Sequence, residues 1–112
     1  MKKIEAVIRV DRFSAVRNAL EQQGYAGMTA YRVEGHGRQK GIVQQFRGRE
    51  YKVDLLPKMK LELVVHAQSL EPILNTIVQV AQTGEIGDGK VFISTIEDTV
   101  RIRTGERGPK AL

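Results

Sequence analysis

Cysteine and tryptophan are missing from this 112-residue sequence, proline occurs three times, and the aromatic side chains are three tyrosines and three phenylalanines. Each shortage removes a class of reading. Without cysteine there can be no disulfide and no thiolate ligand, which suits a reducing cytoplasm. His36 and His66 stand far apart, with no zinc-type spacing around them. No apolar run approaches the roughly 20 residues that a membrane-spanning helix needs. Lys2, Lys3 and Glu5 put charge where a signal peptide would carry its apolar stretch, so a cytoplasmic protein is expected. The few aromatics make no alternating pair on a strand, as a base-stacking platform requires, so nucleic acid is not the expected partner.

What is present is charge and glycine. Eighteen lysines and arginines face thirteen aspartates and glutamates, giving a net charge of +5, and there are eleven glycines. The positive charge is spread along the chain, which fits a small phosphorylated ligand or an acidic protein surface. With 41% hydrophobic residues, residues 1–112 are expected to form one domain with a modest core.

Periodicity supplies the elements. Ile4, Ala6, Ile8 and Val10 alternate with Glu5, Val7 and Arg9, the pattern of a strand with one buried face. Asp11 is placed to cap a helix carrying Phe13, Val16 and Leu20 on one stripe and ending at Gly24. Further strands are expected over 29–34, over 58–66 with Met59, Leu61, Leu63 and Val65 on one face, and over 90–96. Ser69 is expected to cap a second helix with Ile73, Ile77, Val80 and Ala81 as its buried stripe, and Pro72 is tolerable in its first turn. A short extra strand is expected over 99–103. The order is βαβ twice, so the fold class is α+β, a ferredoxin-like βαββαβ sandwich. Two helices cover one face of such a sheet, and the bare face, with Val64 beside Glu62, predicts self-association. Between the second and third strands, residues 35–57 form a long exposed loop rich in glycine and charge. Loops of that length in compact domains usually carry function.

The densest signal is Thr83-Gly84-Glu85-Ile86-Gly87-Asp88-Gly89-Lys90. Three glycines let a loop curl and bring backbone N–H groups close to a ligand, and Lys90 adds a point charge. Beyond it, Arg101 and Arg103 flank Ile102, and on an extended segment both guanidinium groups would share a face. Together these suggest a cradle for nucleotide phosphates. The plainer alternative is a hairpin-like connection followed by a solvated edge strand.

Several ordered motifs carry a wider resemblance: GHGRQKG at 35–41, FRGREY at 46–51, VDLLPKMKLELVV at 53–65, AQTGEIGDGKVFI at 81–93 and RIRTGE at 101–106. Over nearly the whole chain the sequence resembles the PII signal-transduction proteins, which report nitrogen and carbon status. That resemblance implies a homotrimer of ferredoxin-like subunits with ATP or ADP in the clefts between neighbours. Gly87, Asp88, Gly89 and Lys90, with Arg101 and Arg103, would hold the phosphates. Thr29, Glu62 and Val64 would line the adenine pocket, and Gly37, Arg38 and Gln39 would close over the phosphates. The implied second ligand is 2-oxoglutarate, joined to the triphosphate through Mg²⁺. Gln39 would complete the metal's oxygen shell, Lys58 would pair with the distal carboxylate, and Lys40 and Gly41 would wrap the ligand.

The resemblance further implies a flexible effector loop over 37–55, a glycine-rich phosphate loop over 82–90 and a C-terminal loop region over 101–109. The effector loop would act on an ammonium transporter or a nitrogen-assimilation enzyme, with Arg47 as a partner contact and Tyr51 matching the tyrosine that many bacterial relatives uridylylate. The chain departs from the pattern at Val10, where proline is usual, at Phe46, where tyrosine is common, and at Arg49, where alanine or serine is usual. Arg49 leaves no serine there to phosphorylate. Two other classes compete with a non-catalytic sensor. A small ATP-hydrolysing enzyme would need a carboxylate or histidine to position water, and none is evident. An RNA-binding ferredoxin-like module would need the stacking pairs that are missing.

Overall fold

The computed structural model describes residues 1–37, 42–46, 49–53 and 55–112, with the backbone alone described for 42–46 and 49–53. Strand β1 (Lys2–Arg9) alternates as its sequence predicts, with Ile4 and Ala6 fully buried and Ile8 nearly so. Val10 falls outside it, in a 3-10 turn with Asp11 and Arg12 that leads directly into α1 (Phe13–Gln22). Asp11 therefore does not cap the helix. Arg12 occupies the cap position and makes no side-chain cap bond, because the chain is already coiled one turn earlier. The other end behaves as expected: Gly24 adopts φ +92° and its N–H reaches the Glu21 carbonyl, the left-handed stop that glycine permits.

Strand β2 (Thr29–Gly35) follows, then β3 (Ile42–Phe46), β4 (Arg49–Val53) and β5 (Leu56–Val65). The long segment after β2 is thus not a plain loop. β3 and β4 pair antiparallel as a separate ribbon, Gln44 opposite Tyr51, and the β-favouring Ile42, Val43, Phe46, Tyr51 and Val53 account for it. β5 also begins two residues before the expected Lys58. A 3-10 turn over Ala67–Ser69 leads into α2 (Leu70–Ala81), with Ser69 at the cap position but making no side-chain cap bond.

β6 (Gly89–Thr95) completes a four-stranded sheet in the order β2-β5-β1-β6, every neighbour antiparallel. This is the ferredoxin-like arrangement. Val16 and Leu20 from α1, and Ile73, Ile77 and Ala81 from α2, pack onto Ile4, Ile8, Met59, Leu61, Leu63 and Val65. The helices cover one face. The other carries Glu5, Lys60, Glu62, Val64 and Phe92, with Phe92 55% exposed.

The expected strand over 99–103 does not form. A single bridge joins Val100 to Arg107, and between them the chain turns back, with the Gly105 N–H bonding to the Arg101 carbonyl at 2.7 Å. Thr104 and Gly105 favour that reversal, so Arg101 and Arg103 are not neighbours on one face of a strand.

Candidate functional site

Arg9 and Lys58 face each other across β1 and β5, both on the open side of the sheet. Two cations side by side need partners, and the loop before β6 supplies them. Lys58 Nζ donates to the Gly87 carbonyl at 2.6 Å. Arg9 donates through Nε to Asp88 at 3.0 Å and through Nη2 to the Ile86 carbonyl at 2.9 Å. Burial, together with the nearby Arg9, lowers the pKa of Lys58 from the ordinary lysine value. It is a cation held in a sheltered place, which a carboxylate or phosphate would stabilise.

The loop is closed by its own aspartate. Asp88 accepts from the Thr83 hydroxyl, from the Thr83 N–H at 2.8 Å and from the Gly84 N–H at 2.9 Å. These donors, the Thr83 hydroxyl first among them, hold its carboxyl far below the usual carboxylate range. Gly84, Gly87 and Gly89 all take positive φ. Gly89 is irreplaceable for a second reason: a Cβ there would sit 1.7 Å from the Val7 carbonyl oxygen. The loop lies directly on β1, with Lys90 opposite Val7 as β6 begins.

Between this loop and the end of β2 opens a cleft of about 770 Å³, with Gly37, Lys58, Gly87, Asp88, Gly89 and Lys90 in its lining. Six of the sequence-predicted site residues therefore meet. His36 and Phe92 join them at the wall.

The other predicted site residues among the described ones fall into two other places. Thr29 lies opposite Glu62 across β2 and β5, and Val64 follows two residues on along the same face. Tyr31 donates to Glu62 at 2.7 Å, and Lys3 and Lys60 flank Glu62 and Glu5. Lys3 in turn lowers the Glu5 pKa, while the hydrogen bond with Tyr31 raises that of Lys60.

Arg101 belongs to the C-terminal turn. It pairs with Glu106 at 3.0 Å and donates to the carbonyls of Lys110 and Leu112. Asp98 gathers Arg107, the Thr99 N–H and the Gly108 N–H, with Arg107 the main cause of its lowered pKa. Neither the Thr29 group nor Arg101 and Arg103 line the cleft. The predictions on Arg38, Gln39, Lys40, Gly41 and Arg47 lie outside the described residues, as does the side chain of Tyr51. Among the described residues no group of three or more His, Asp or Glu side chains is placed to hold a metal ion, and no helix is long and apolar enough to cross a membrane.

Arg9 is the residue that sequence reasoning missed as part of the site. Its signal was its position at the end of β1, level with Lys58, but its partner lies 79 residues away and no local pattern names it.

Residues 1–106 match the family model described as Nitrogen regulatory protein P-II. The chain is 54% identical over 112 residues to Nitrogen regulatory protein P-II 2 of Methanothermobacter thermautotrophicus, covering 100% of this chain and 97% of that one. It is 50% identical to Nitrogen regulatory protein P-II of Rhodospirillum rubrum and 46% identical to that of Pyropia yezoensis, covering 100% of both chains in each pair.

Proposed function

The chain belongs to the nitrogen regulatory protein P-II family and is a nitrogen-regulation signalling protein, and we propose from that premise that it is a non-catalytic homotrimeric sensor of ATP or ADP and 2-oxoglutarate. The observation that carries this reading is the meeting of Lys58 with the glycine loop in one cleft. A sheltered cation beside positive-φ glycines and Lys90 suits a ligand with several anionic oxygens.

The residues divide the work by place. Gly87, Gly89 and Lys90 receive phosphate oxygens, and Arg103 and Arg101 reach them from the C-terminal turn. Thr29, Glu62 and Val64 receive the base. Since these three groups do not share one cleft within a single chain, the reading requires neighbouring copies to complete each site. Lys58 takes the distal carboxylate of 2-oxoglutarate, Lys40 and Gly41 wrap it, and Gly37, Arg38 and Gln39 close the site. Gln39 would hold Mg²⁺ through its amide oxygen, and the ion would supply positive charge to the anionic oxygens of the two ligands. Residues 37–55 carry the outcome to an ammonium transporter or a nitrogen-assimilation enzyme in the cytoplasm, with Arg47 at the contact and Tyr51 open to modification. A ligand can drive that loop only by binding its two states unequally.

Isothermal titration with 2-oxoglutarate tests the reading, at saturating Mg-ATP and at saturating Mg-ADP. The expected result is tight binding with Mg-ATP and little with Mg-ADP, abolished by Lys58→Ala and weakened by Gln39→Ala. Reciprocity requires 2-oxoglutarate to tighten ATP by the same factor. Equal binding under both conditions, or mutants that bind like the natural chain, would defeat it.

A further inference from the structure

Asp88 is an odd neighbour for phosphate. A carboxylate next to a polyphosphate repels it, yet Asp88 sits in the middle of the glycine loop and in the wall of the cleft. Its bonds explain its presence. Both carboxylate oxygens are occupied: one takes the Thr83 and Gly84 N–H groups, the other takes the Thr83 hydroxyl and Arg9 Nε. The acceptor capacity thus points back into residues 83–84 and across to β1. Arg9 has a second hold on the same loop, at the Ile86 carbonyl. The Arg9 and Asp88 side chains are only 21% and 23% exposed, so their pair is sheltered compared with an ordinary surface ion pair. Gly89 fixes the far end: β6 begins there paired to β1, with Gly89 opposite Ile8, and no side chain fits against the Val7 carbonyl.

We infer that Arg9 is a positioning residue of the phosphate site: acting through Asp88 and the Ile86 carbonyl, it holds residues 83–88 in one shape before any ligand arrives. Asp88 serves the loop, and Arg9 neutralises the charge that would otherwise oppose an anion. The inference rests on the proposed reading that this loop receives phosphate. It assigns different duties to neighbours that the sequence places together, since Gly87, Gly89 and Lys90 meet the ligand and Asp88 does not. A loop already in its binding shape spends less of the interaction energy on ordering when the ligand docks.

The experiment compares the natural chain with Arg9→Ala, Asp88→Ala and the double variant. Amide hydrogen exchange of the ligand-free protein reads the loop, and calorimetry with ADP reads affinity. Arg9 touches neither the Thr83 nor the Gly84 amide, so faster exchange at both in Arg9→Ala, with β1 and β5 unchanged, is the signature of positioning. Each single variant should weaken ADP about tenfold, in line with the loss of a charge-assisted bond. The losses should combine to less than their product in the double variant, because the Arg9–Asp88 bond is common to both substitutions while the Ile86, Thr83 and Gly84 contacts are not. Unchanged exchange at Thr83 and Gly84 in Arg9→Ala would overturn the inference. So would ADP losses that multiply in the double variant, which would mean that Arg9 meets the ligand itself, or tighter ADP binding by Asp88→Ala, which would mean that Asp88 does. Failure of the natural chain to bind ADP would instead overturn the proposed function, and the exchange comparison would still decide whether Arg9 holds the loop.

Discussion

Single atoms decide the most at Gly89. Substitution by alanine forces a Cβ into the Val7 carbonyl at a positive φ that L residues avoid, and the neighbour is backbone that cannot swing aside. Gly89→Ala should lower unfolding free energy by about 2–4 kcal/mol, from overpacking together with the left-handed conformation. Urea unfolding followed by circular dichroism checks this, with Gly84→Ala as the comparison: it takes a similar φ but has nothing within 4 Å of its Cβ position. On the proposed function, Arg103→Ala is a cleaner probe of phosphate binding than Arg101→Ala. Arg101 also ties Glu106 and the last carbonyls together, so its loss disturbs the C-terminal turn. Arg103→Ala should weaken ATP and ADP by about 1.5–3 kcal/mol while leaving adenosine unchanged. Equal weakening of all three by calorimetry would mean that Arg103 supports the fold alone.

Among the elements, α2 shows how burial sorts residues of similar chemistry. Ile73 and Ile77 are sealed against the sheet, whereas Val78 on the same helix is 51% exposed. Ile77→Ala should cost about 2–5 kcal/mol, as large-to-small core changes do. Val78→Ala should stay within about 0.5 kcal/mol. Thermal melts of the two variants give the comparison directly. If Val78→Ala matches Ile77→Ala, another surface covers that helix face in solution.

For the whole molecule, the bare sheet face and the carboxylates make two predictions. The face carries apolar Val64 and Phe92 among the paired charges of Lys3, Glu5, Lys60 and Glu62. On the proposed function the native species is a trimer, and Phe92→Glu should shift its mass in light scattering toward the monomer. A natural chain that is monomeric at micromolar concentration would remove the shared clefts. The second prediction is acid lability. Asp88, Asp98 and Glu5 all have folded pKa values below their ordinary ones, through their hydroxyl, guanidinium and ammonium partners. Depressed carboxylates stabilise the fold above the unfolded pKa of about 4, and that stability is lost as pH falls toward the folded values. Unfolding midpoints should therefore be flat from neutrality to about pH 5 and fall below about pH 4, with Asp88→Asn reducing the fall. A midpoint that holds steady through that acid range would contradict it.

The sequence by itself determined the sandwich. Strict alternation at Ile4, Ala6 and Ile8 and at Met59, Leu61, Leu63 and Val65 can bury only one way, and the stripes of Val16 and Leu20 and of Ile73 and Ile77 have one place to go. It also marked the glycine loop, since residues that tolerate positive φ are visible wherever they fold, whereas Lys58 came only through the family resemblance. The tertiary structure alone decided what those residues touch. The sequence marked Asp88 only as part of a phosphate cradle, and the tertiary structure added its bond to Arg9 from a distant strand. Arg101 and Arg103 alternate like strand residues, yet Gly105 turns the chain back and Glu106 takes Arg101. The residues after β2 carry enough glycine and charge to resemble loop, while the pairing of Ile42–Phe46 with Arg49–Val53 needed a partner strand to exist. Periodicity records which side of an element meets the core. Which polar group meets which depends on where the chain returns, and no local pattern contains that.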